Sequence, residues 1–389
     1  MPRLPSDVSG DPRLRARRAL YREDPQLQGL AWGESIPRAG ATWKGLRRYA
    51  GCREPDQAPL EASVRRVAKR TWLPIWAAIG LLLAFVALAC RTAEMPSAPG
   101  ALEAHYLEHG GLDRSYWLAV PPDGELQSPS SLVMALHGGG GTAASMCRMR
   151  GGLLELARQG AFLLVCPQGV ERHWNDGRQI TRWRAQADGI DDVGFLAAVV
   201  DDVAGRYPVD RQRIFVTGIS NGGLMSYRLA CERADLVSAI APVAASMAES
   251  LECAPSRPVS VLILNGTADP LVPYAGGPIG FGGDNLGRVI PTDEAWRRWA
   301  ALNRCEGEPA EAGLPDRSEA DGTRLVLFSH TECAARSQVL LYRIEGGGHT
   351  WPGGPQYLPA SLVGRVSDEL DAGQVIWDFF EAQSIDTRP

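Results

Sequence analysis

Three residues of types suited to nucleophilic catalysis each follow a separate apolar run of this 389-residue chain. Ser220 is the centre of the motif Gly-Ile-Ser-Asn-Gly, Asp269 follows the run VLILN, and His349 follows the run LLYRI. A serine hydroxyl becomes a strong nucleophile when a histidine takes its proton and a carboxylate orients that histidine. The pattern therefore predicts acyl-transfer chemistry, with Ser220 as nucleophile, Asp269 as orienting acid and His349 as general base.

The glycines around Ser220 predict a tight turn between a strand and a helix. In such a turn the serine takes a strained backbone conformation, and side chains two positions away on either side would collide. The start of the following helix favours negative charge developing near the hydroxyl. The motif also recurs by chance, and Asp269 could instead be a turn or helix-capping residue. Three glycines before His349 predict a flexible loop at the site.

A second glycine run predicts where the negative charge of an acyl-transfer intermediate would be stabilised. The run LVMAL ends in His137, which four glycines follow. Backbone N–H groups aimed at a developing oxyanion stabilise it, and glycine lets the main chain approach the substrate. We expect N–H groups of Gly139 or Gly140, together with Asn221, to form this oxyanion hole, and His137 to hold the loop by hydrogen bonds.

Apolar runs alternate with helical patterns from residue 103 to residue 383, which predicts one α/β domain with a mostly parallel central sheet flanked by helices. The expected strands are His105–Leu107, Ser115–Val120, Leu132–His137, Phe162–Cys166, Ile214–Gly218, Ala239–Val243, Val259–Asn265 and Val339–Ile344. The expected helices are Gly152–Gln159, Asp191–Tyr207, Asn221–Glu232, Thr292–Leu302 and Asp368–Ala382. The chain order serine, aspartate, histidine, each after its own strand, is that of the α/β-hydrolase fold.

The composition excludes several classes of protein. A hydrophobic fraction of 45% supports a core, and neither a collagen nor a coiled-coil repeat is present. The formal net charge is −5, with a basic segment at residues 1–70 and an acidic remainder. An acidic body repels phosphate, so we expect no nucleic-acid partner.

The first 95 residues divide into two parts. Residues 1–63 are rich in Arg, Pro and Gly without a sustained period, which predicts a disordered basic segment. A miscalled start, with translation beginning near Val64, would remove it. Residues 64–95 hold an apolar run at 72–90, preceded by basic residues and ending in an Ala-Leu-Ala site. This pattern is typical of a signal peptide.

Nineteen apolar residues would also span a bilayer, so a retained signal anchor with a transmembrane helix is the competing interpretation. Lipidation of Cys90 is a further alternative, and a buried core helix is the least favoured one. Every interpretation except the core helix places the domain at residues 96–389 outside the cytoplasm. We therefore expect a secreted or periplasmic protein, or one anchored to the membrane through residues 72–90.

The body resembles the secreted α/β-hydrolase esterases known as polyhydroxybutyrate depolymerases, a group similar to feruloyl and acetyl-xylan esterases. The stretches that carry the resemblance are LHGGGGTA, WNDGR, DDVGFLAAVVDDVAGRYPVD, VTGISNGGLMSYRLAC, APVAAS, LNGTADPLVPY and IEGGGHTWPGG. They span about residues 103–383 in order. The resemblance implies a serine esterase with the catalytic residues named above and with no metal or organic cofactor.

Small or oligomeric esters are the expected substrates, either hydroxyalkanoate oligomers or hydroxycinnamoyl and acetyl esters. A serine peptidase is the alternative enzyme, and a catalytically dead binding protein is the alternative from another class. Trp174 and Trp351 are candidates for lining the substrate pocket, or else for anchoring loops. We expect Asp176 and Asp192 to tie the segment WNDGR to a helix start by capping rather than to act on substrate.

Six cysteines lie in the body, and an even number in an exported chain favours disulfides. Fifteen pairings of six cysteines exist. The expected fold places pairs of consecutive cysteines either at the same edge of the sheet or on the two sides of one polar insertion. Our hypothesis is therefore three bridges, Cys147–Cys166, Cys231–Cys253 and Cys305–Cys333.

Overall fold

A computed structural model of the chain describes residues 101–122, 128–280 and 286–383. The predictions for residues 1–63 and 64–95, including the apolar run at 72–90 and Cys90, lie outside these ranges. Within them, no helix is long and apolar enough to cross a membrane.

Strands and helices alternate along most of the described chain. The strands are β1 (Leu102–His109), β2 (Leu112–Ala119), β3 (Ser130–Leu136), β4 (Leu163–Pro167), β5 (Val209–Ile219), β6 (Ala239–Val243), β7 (Ser260–Gly266), β8 (Gly277–Pro278), β9 (Arg288–Val289), β10 (Ala310–Gly313), β11 (Arg324–His330) and β12 (Val339–Glu345). The helices are α1 (Ala143–Cys147), α2 (Leu154–Arg158), α3 (Arg184–Ala187), α4 (Asp192–Arg206), α5 (Asn221–Glu232), α6 (Thr292–Leu302), α7 (Ala360–Val363) and α8 (Ala372–Glu381).

In the described part of the chain, ten strands form one sheet in the order β1-β2-β4-β3-β5-β6-β7-β12-β11-β10. The six strands from β4 to β12 in that order are parallel to their neighbours, and β1, β2, β11 and β10 are antiparallel at the two edges. Every residue of β3, β4, β6 and β7 is buried, as expected for strands covered on both faces. The predicted α/β-hydrolase fold is confirmed.

Two apolar clusters cover the two faces of this sheet. Successive side chains of a strand point to opposite faces. Accordingly Leu132 and Met134 of β3 belong to one cluster, which α4, α5 and α6 complete, whereas Val133 and Ala135 belong to the other, with α8. The sheet is therefore a rigid platform whose strand ends hold the loops described below.

Most of the elements that the sequence did not predict are short, and β11, with seven residues, is the longest of them. Strand β10 is exposed at all four residues, so its sequence has no alternation that would predict a strand. It pairs with β11, and the two extend the sheet beyond β12. Helix α8 begins at Ala372, later than the predicted Asp368, because Asp371 caps it by accepting a hydrogen bond from the Gln374 N–H.

The described residues contain three disulfides. They join Cys147 to Cys166, Cys231 to Cys253 and Cys305 to Cys333. These are the three pairs that the sequence analysis proposed. The first one lies between α1 and the end of β4, and thus beside the strand ends that hold the candidate site.

Candidate active site

Ser220 lies in the tight turn between β5 and α5. Its φ of 56° and ψ of −121° place it in a region of backbone space that residues with a side chain rarely occupy. A Cβ on Gly222 would lie 2.3 Å from the Leu136 carbonyl oxygen, and one on Gly218 would lie 2.6 Å from the Gly222 carbonyl carbon. Both glycines are therefore required for the close packing of this turn against β3.

Asp269 and His349 are in contact and buried. Nδ1 of His349 lies 2.8 Å from Oδ2 of Asp269, and Oδ1 of Asp269 accepts hydrogen bonds from the Leu271 and Val272 N–H groups, each at 2.8 Å. A carboxylate on Nδ1 fixes the tautomer in which Nε2 carries the lone pair. The pair has the arrangement that a general base and its orienting acid need.

The two loops that hold this pair pack closely because they follow neighbouring parallel strands, β7 and β12. The Ala268 N–H donates to the Gly347 carbonyl at 2.9 Å. A Cβ on Gly266 would lie 2.2 Å from the Gly347 carbonyl oxygen, and one on Gly348 would lie 2.3 Å from the Val363 carbonyl oxygen. The glycines before His349 therefore permit close packing of the two loops, and the expectation of a flexible loop stays a prediction.

The backbone of His349 is held on both sides. Its N–H donates to the Val363 carbonyl at 2.6 Å, and its carbonyl accepts a hydrogen bond from the Tyr357 hydroxyl at 3.1 Å. Tyr357 is about half exposed, whereas His349 is buried. Tyr357 lies in a loop with no periodic pattern, so nothing in the sequence around it indicates this contact.

The glycine run after β3 lies against the serine turn. A Cβ on Gly138 would lie 3.6 Å from Cβ of Ser220, and one on Gly139 would lie 3.7 Å from Cβ of Asn221. The Gly140 N–H donates to the Arg172 carbonyl at 2.9 Å. That contact argues against Gly140 as an oxyanion donor.

The Gly139 N–H is the better candidate of the two glycines. It donates to no residue within the described ranges. The N–H of Asn221 is in the first turn of α5, where backbone donors have no partner within the helix. Gly139 and Asn221 together could therefore present two N–H groups to a carbonyl oxygen bound near Ser220.

His137 is a structural residue, as expected. Its Nε2 accepts hydrogen bonds from the Gly169 N–H and from the Gln168 side chain, both at 3.0 Å, so Nδ1 carries the proton and donates to the Gly138 carbonyl at 2.8 Å. Burial lowers the pKa of His137 to about 4. The ring is therefore neutral at physiological pH and holds the glycine run in place.

Trp174 and Trp351 are buried anchors. The indole N–H of Trp174 donates to the His137 carbonyl at 2.9 Å, and that of Trp351 donates to the Gly151 carbonyl at 2.8 Å. Trp174 is fully buried and Trp351 is 2% exposed. Their placement supports loop anchoring and gives no support to the pocket assignment.

Asp176 contacts the side chain of Asn221, the first residue of α5. It is fully buried and forms an ion pair with Arg178 at 2.8 Å, and it also accepts hydrogen bonds from the side chains of Asn221 and Gln186 at 2.6 and 3.0 Å. All of its contacts are with protein side chains and its neighbouring backbone. Asp176 therefore ties the segment WNDGR to α5, and it does not cap a helix.

Asp192 joins the same segment to α4, but not by capping. Its carboxylate accepts hydrogen bonds from the Asn175 N–H and from Arg114, each at 2.7 Å. Burial raises the pKa of Asp192, and Arg114 opposes that shift. The cap of α4 is the preceding residue, Asp191, which accepts from the Gly194 N–H at 2.8 Å. The prediction of capping by Asp192 is therefore wrong, although the link that it was expected to form is present.

His173 lies beside Gly139 at the site, although it was not predicted there because no strand-end glycine loop precedes it. It follows β4, at the same edge of the sheet as the loops after β3, β5 and β7. Its Nε2 would lie 3.5 Å from a Cβ on Gly139. The position of a residue just after a parallel strand is the signal that could have identified it.

Metal ligands are not grouped at this site. Among the described residues, no three His, Cys, Asp or Glu side chains are placed so that they could hold a metal ion. The arrangement places the His349–Asp269 pair and the Ser220 turn at loops that follow strands of the same parallel sheet.

Comparison with known proteins assigns the chain to a family. Over 296 residues it is 31% identical to NocK of Nocardia uniformis subsp. tsuyamanensis, a protein named as an esterase, in a match that covers 73% of this chain and 84% of NocK. Over 275 residues it is 30% identical to Feruloyl esterase C of Emericella nidulans, with 69% of this chain and 84% of that protein covered. The chain belongs to this family of esterases.

Other comparisons are less informative about this esterase. The acetyl xylan esterase from Aspergillus awamori is 15% identical, with a TM-score of 0.46 over 72% of this chain and 99% of that one. No family model matches the sequence. Similarity to feruloyl esterases is thus confirmed, and the resemblance to polyhydroxybutyrate depolymerases stays a prediction.

Proposed function

We propose that this esterase is an exported serine hydrolase that works through an acyl-enzyme on Ser220. The observation that carries the proposal is the buried contact of 2.8 Å between His349 Nδ1 and Asp269 Oδ2. It supplies an oriented imidazole at the strand ends where the strained serine turn also lies. A histidine held in this way is able to take the proton of a serine hydroxyl.

In the first half-reaction, Oγ of Ser220 attacks the ester carbonyl carbon while Nε2 of His349 takes the hydroxyl proton. The N–H groups of Gly139 and Asn221 stabilise the oxyanion, and preorganised donors of this kind are worth roughly 3 kcal/mol each in the transition state. His349 then gives the proton to the departing alcohol, and the acyl group stays on Ser220.

In the second half-reaction, water attacks the acyl carbonyl carbon as His349 takes one of its protons. Collapse of the tetrahedral intermediate breaks the bond to Ser220, whose oxygen receives that proton back from His349. The carboxylic acid leaves and the enzyme is restored. No redox step or cofactor enters this cycle.

Hydroxycinnamoyl or acetyl esters and hydroxyalkanoate oligomers are the proposed substrates. The relative named Feruloyl esterase C supports the first class. Export is supported by three disulfides in the described residues, since disulfides persist in oxidising compartments. The apolar run at 72–90 in the sequence supports export through a signal peptide or a signal anchor.

The test is hydrolysis of p-nitrophenyl acetate, butyrate and octanoate by the wild-type chain and by Ser220→Ala. We expect the variant to lose at least about 10³-fold in kcat. Ser226→Ala is the matched control, because Ser226 lies in α5, the helix that directly follows Ser220, and its hydroxyl donates to the Gly223 carbonyl at 2.7 Å. The proposal fails if Ser220→Ala keeps the wild-type rate, or if Ser226→Ala loses as much activity as Ser220→Ala.

A further inference from the structure

His173 lies beside Gly139, whose N–H is one of the two proposed oxyanion donors. Its Nδ1 lies 2.8 Å from the Glu171 carbonyl oxygen, which can only accept, so Nδ1 carries the proton. Nε2 of the neutral ring therefore has a free lone pair. Within the described ranges, no group donates a hydrogen bond to it. Burial lowers the pKa of His173, and Arg178 and Arg172 lower it further, so the ring is neutral at pH 7.

The ring is fixed against the glycine run. A Cβ on Gly139 would lie 3.4 Å from Cδ2 and 3.5 Å from Nε2 of His173. On its other side the imidazole stacks on Trp183, with 4.3 Å between ring centroids and 14° between planes. The Gly140 N–H also binds the backbone of the preceding residue, Arg172. The acceptor is therefore held beside the backbone of Gly139.

An accepting lone pair at this place has an electrostatic consequence. The oxyanion that forms near Gly139 would be repelled by the lone pair of Nε2 if nothing lay between them. A hydroxyl group that donates to Nε2 removes the repulsion and satisfies the acceptor. Water could supply that hydroxyl for any ester, but a hydroxyl on the substrate would supply it without the entropic cost of fixing a water molecule.

We propose that Nε2 of His173 accepts a hydrogen bond from a hydroxyl of the substrate, so that this esterase prefers esters with a hydroxyl close to the scissile bond. The inference rests on the proposed function, because it takes Ser220 as the nucleophile. The hydroxyl can belong to the acyl group, as in a hydroxyalkanoate, or to the alcohol, as in an ester of a polyol or sugar. Both present the same donor to the same atom.

Two pairs of esters distinguish the sources of the hydroxyl. Methyl 3-hydroxybutyrate against methyl butyrate tests the acyl side, and 2-hydroxyethyl butyrate against propyl butyrate tests the alcohol side. Hydrolysis is followed by titration of the released acid. We expect the wild-type enzyme to favour the hydroxylated member of one pair by about tenfold in kcat/KM, the ratio that one hydrogen bond to a neutral group provides.

His173→Phe keeps an aromatic ring to stack on Trp183 and removes the acceptor. We expect this variant to lose about tenfold in kcat/KM for the hydroxylated ester, mostly through KM, and to change by less than about twofold for its partner. His173→Gln, which can place an amide oxygen near the position of Nε2, should recover part of the preference. The preference would then depend on the acceptor and not on the ring.

The inference is overturned if the wild-type enzyme treats both members of each pair alike. It is equally overturned if His173→Phe and His173→Gln slow all four esters by one factor, which would assign Nε2 to water or to packing. Ser220→Ala is measured with the same esters. If that variant keeps the wild-type rates, the proposed function itself fails, and this result is distinct from a lost preference.

Discussion

Asn221 directly follows the proposed nucleophile in the chain, and its side-chain amide donates a hydrogen bond of 2.6 Å to Asp176. The same amide accepts from the Trp174 N–H at 2.9 Å and donates to its carbonyl at 3.2 Å. Asp176 in turn pairs with buried Arg178. The serine turn is thus fixed to the segment WNDGR by a buried network, in which loss of one partner leaves another unsatisfied.

Asn221→Ala should therefore both destabilise the enzyme and slow it. The Trp174 N–H would lose the oxygen to which it donates, and the Trp174 carbonyl and one oxygen of Asp176 would each lose one of their hydrogen bonds. We expect this to cost about 2–3 kcal/mol in the free energy of unfolding. We expect kcat to fall by about 10-fold or more, because the turn that presents Ser220 loses its support. Urea unfolding and p-nitrophenyl butyrate hydrolysis measure the two effects.

Asn303→Ala is the matched control for this change. Asn303 is also a fully buried asparagine that bridges backbone groups, since it accepts from the Val259 N–H at 3.1 Å and donates to its carbonyl at 2.7 Å. It lies just after α6 and contacts the residue before β7, away from the strand ends that hold Ser220. A comparable loss of stability with unchanged kcat is expected, and an equal loss of kcat in both variants would contradict the proposed coupling.

Asp269→Asn tests the orienting acid. Without a carboxylate on Nδ1, the imidazole of His349 is held in the wrong tautomer, and kcat should fall by about 10³- to 10⁴-fold, as in other serine hydrolases with this arrangement. Steady-state kinetics at pH 7 to 8 measure the loss. The fold should persist, since asparagine still accepts from the Leu271 and Val272 N–H groups.

The chain offers a second contact between a histidine and an aspartate as control. Nε2 of His109 lies 2.9 Å from Oδ2 of Asp191. This contact is exposed, and both of its residues are far from Ser220 in the sequence. Asp191→Asn keeps a good cap for α4, because asparagine is as favourable there as aspartate. Unchanged kcat in this variant, with a large loss in Asp269→Asn, is the expected result. A loss below about 10-fold in Asp269→Asn would contradict the assigned role.

Most of the sheet was predictable because its strands are buried on both faces and have continuous apolar sequences. Strand β6 has the predicted bounds, as do α5 and α6. Strand β10 was not predicted because it is an edge strand with all four residues exposed. Strand β11 was not predicted although its sequence contains the apolar run LVLF, and only one of its seven residues is buried. Burial on both faces, which makes the central strands recognisable from their sequences, is absent from β10 and β11.

The contact between Asp269 and His349 was predictable from the order of strands and motifs, since loops after neighbouring parallel strands meet at one edge. The contacts that hold the serine turn in place could not be predicted from the sequence. Nothing in the types or spacing of Asn221 and Asp176 indicates that they bind each other, because the contact depends on how a loop folds back over α5. The anchoring of Trp174 and the place of His173 depend on the same loop.

Gly222→Ala tests the packing of the serine turn. The new Cβ would lie 2.3 Å from the Leu136 carbonyl oxygen and 2.6 Å from that of His137, so strand β3 or helix α5 would have to move. We expect a loss of at least about 2 kcal/mol in stability, typical of overpacking, and kcat reduced by more than 10-fold. Thermal or urea unfolding and ester hydrolysis measure it.

Gly205→Ala is the control for Gly222→Ala, because at Gly205 there is room for the new Cβ. Gly205 lies in α4, where a Cβ would meet nothing within 4 Å. Alanine is preferred to glycine in a helix by up to about 1 kcal/mol, so the variant should be slightly more stable with wild-type activity. If both glycine variants behaved alike, the close contacts at Gly222 would not determine the geometry of the turn.

The free energy of unfolding should decrease as the pH is lowered, because His137 has a lowered pKa in the folded enzyme. Its pKa is lowered from 6.5 to about 4 in the folded enzyme, and burial is the main cause. Between these two values the unfolded chain binds more protons than the folded one, so the stabilisation is present above pH 6.5 and is lost as the pH falls towards 4. Across this window the loss from this one residue is roughly 3 kcal/mol.

His137→Gln removes the titrating ring and keeps an oxygen that can accept from the Gly169 N–H, the donor that His137 Nε2 binds at 3.0 Å. Other histidines with lowered pKa values, such as His105 and His173, contribute to the slope in both proteins, so the difference between them isolates His137. Urea unfolding at intervals between pH 7 and pH 4 should show wild type losing stability more steeply than the variant. Parallel curves would mean that the His137 ring takes up its proton at the same pH in the folded enzyme as in the unfolded chain, which would contradict the lowered pKa that burial gives it.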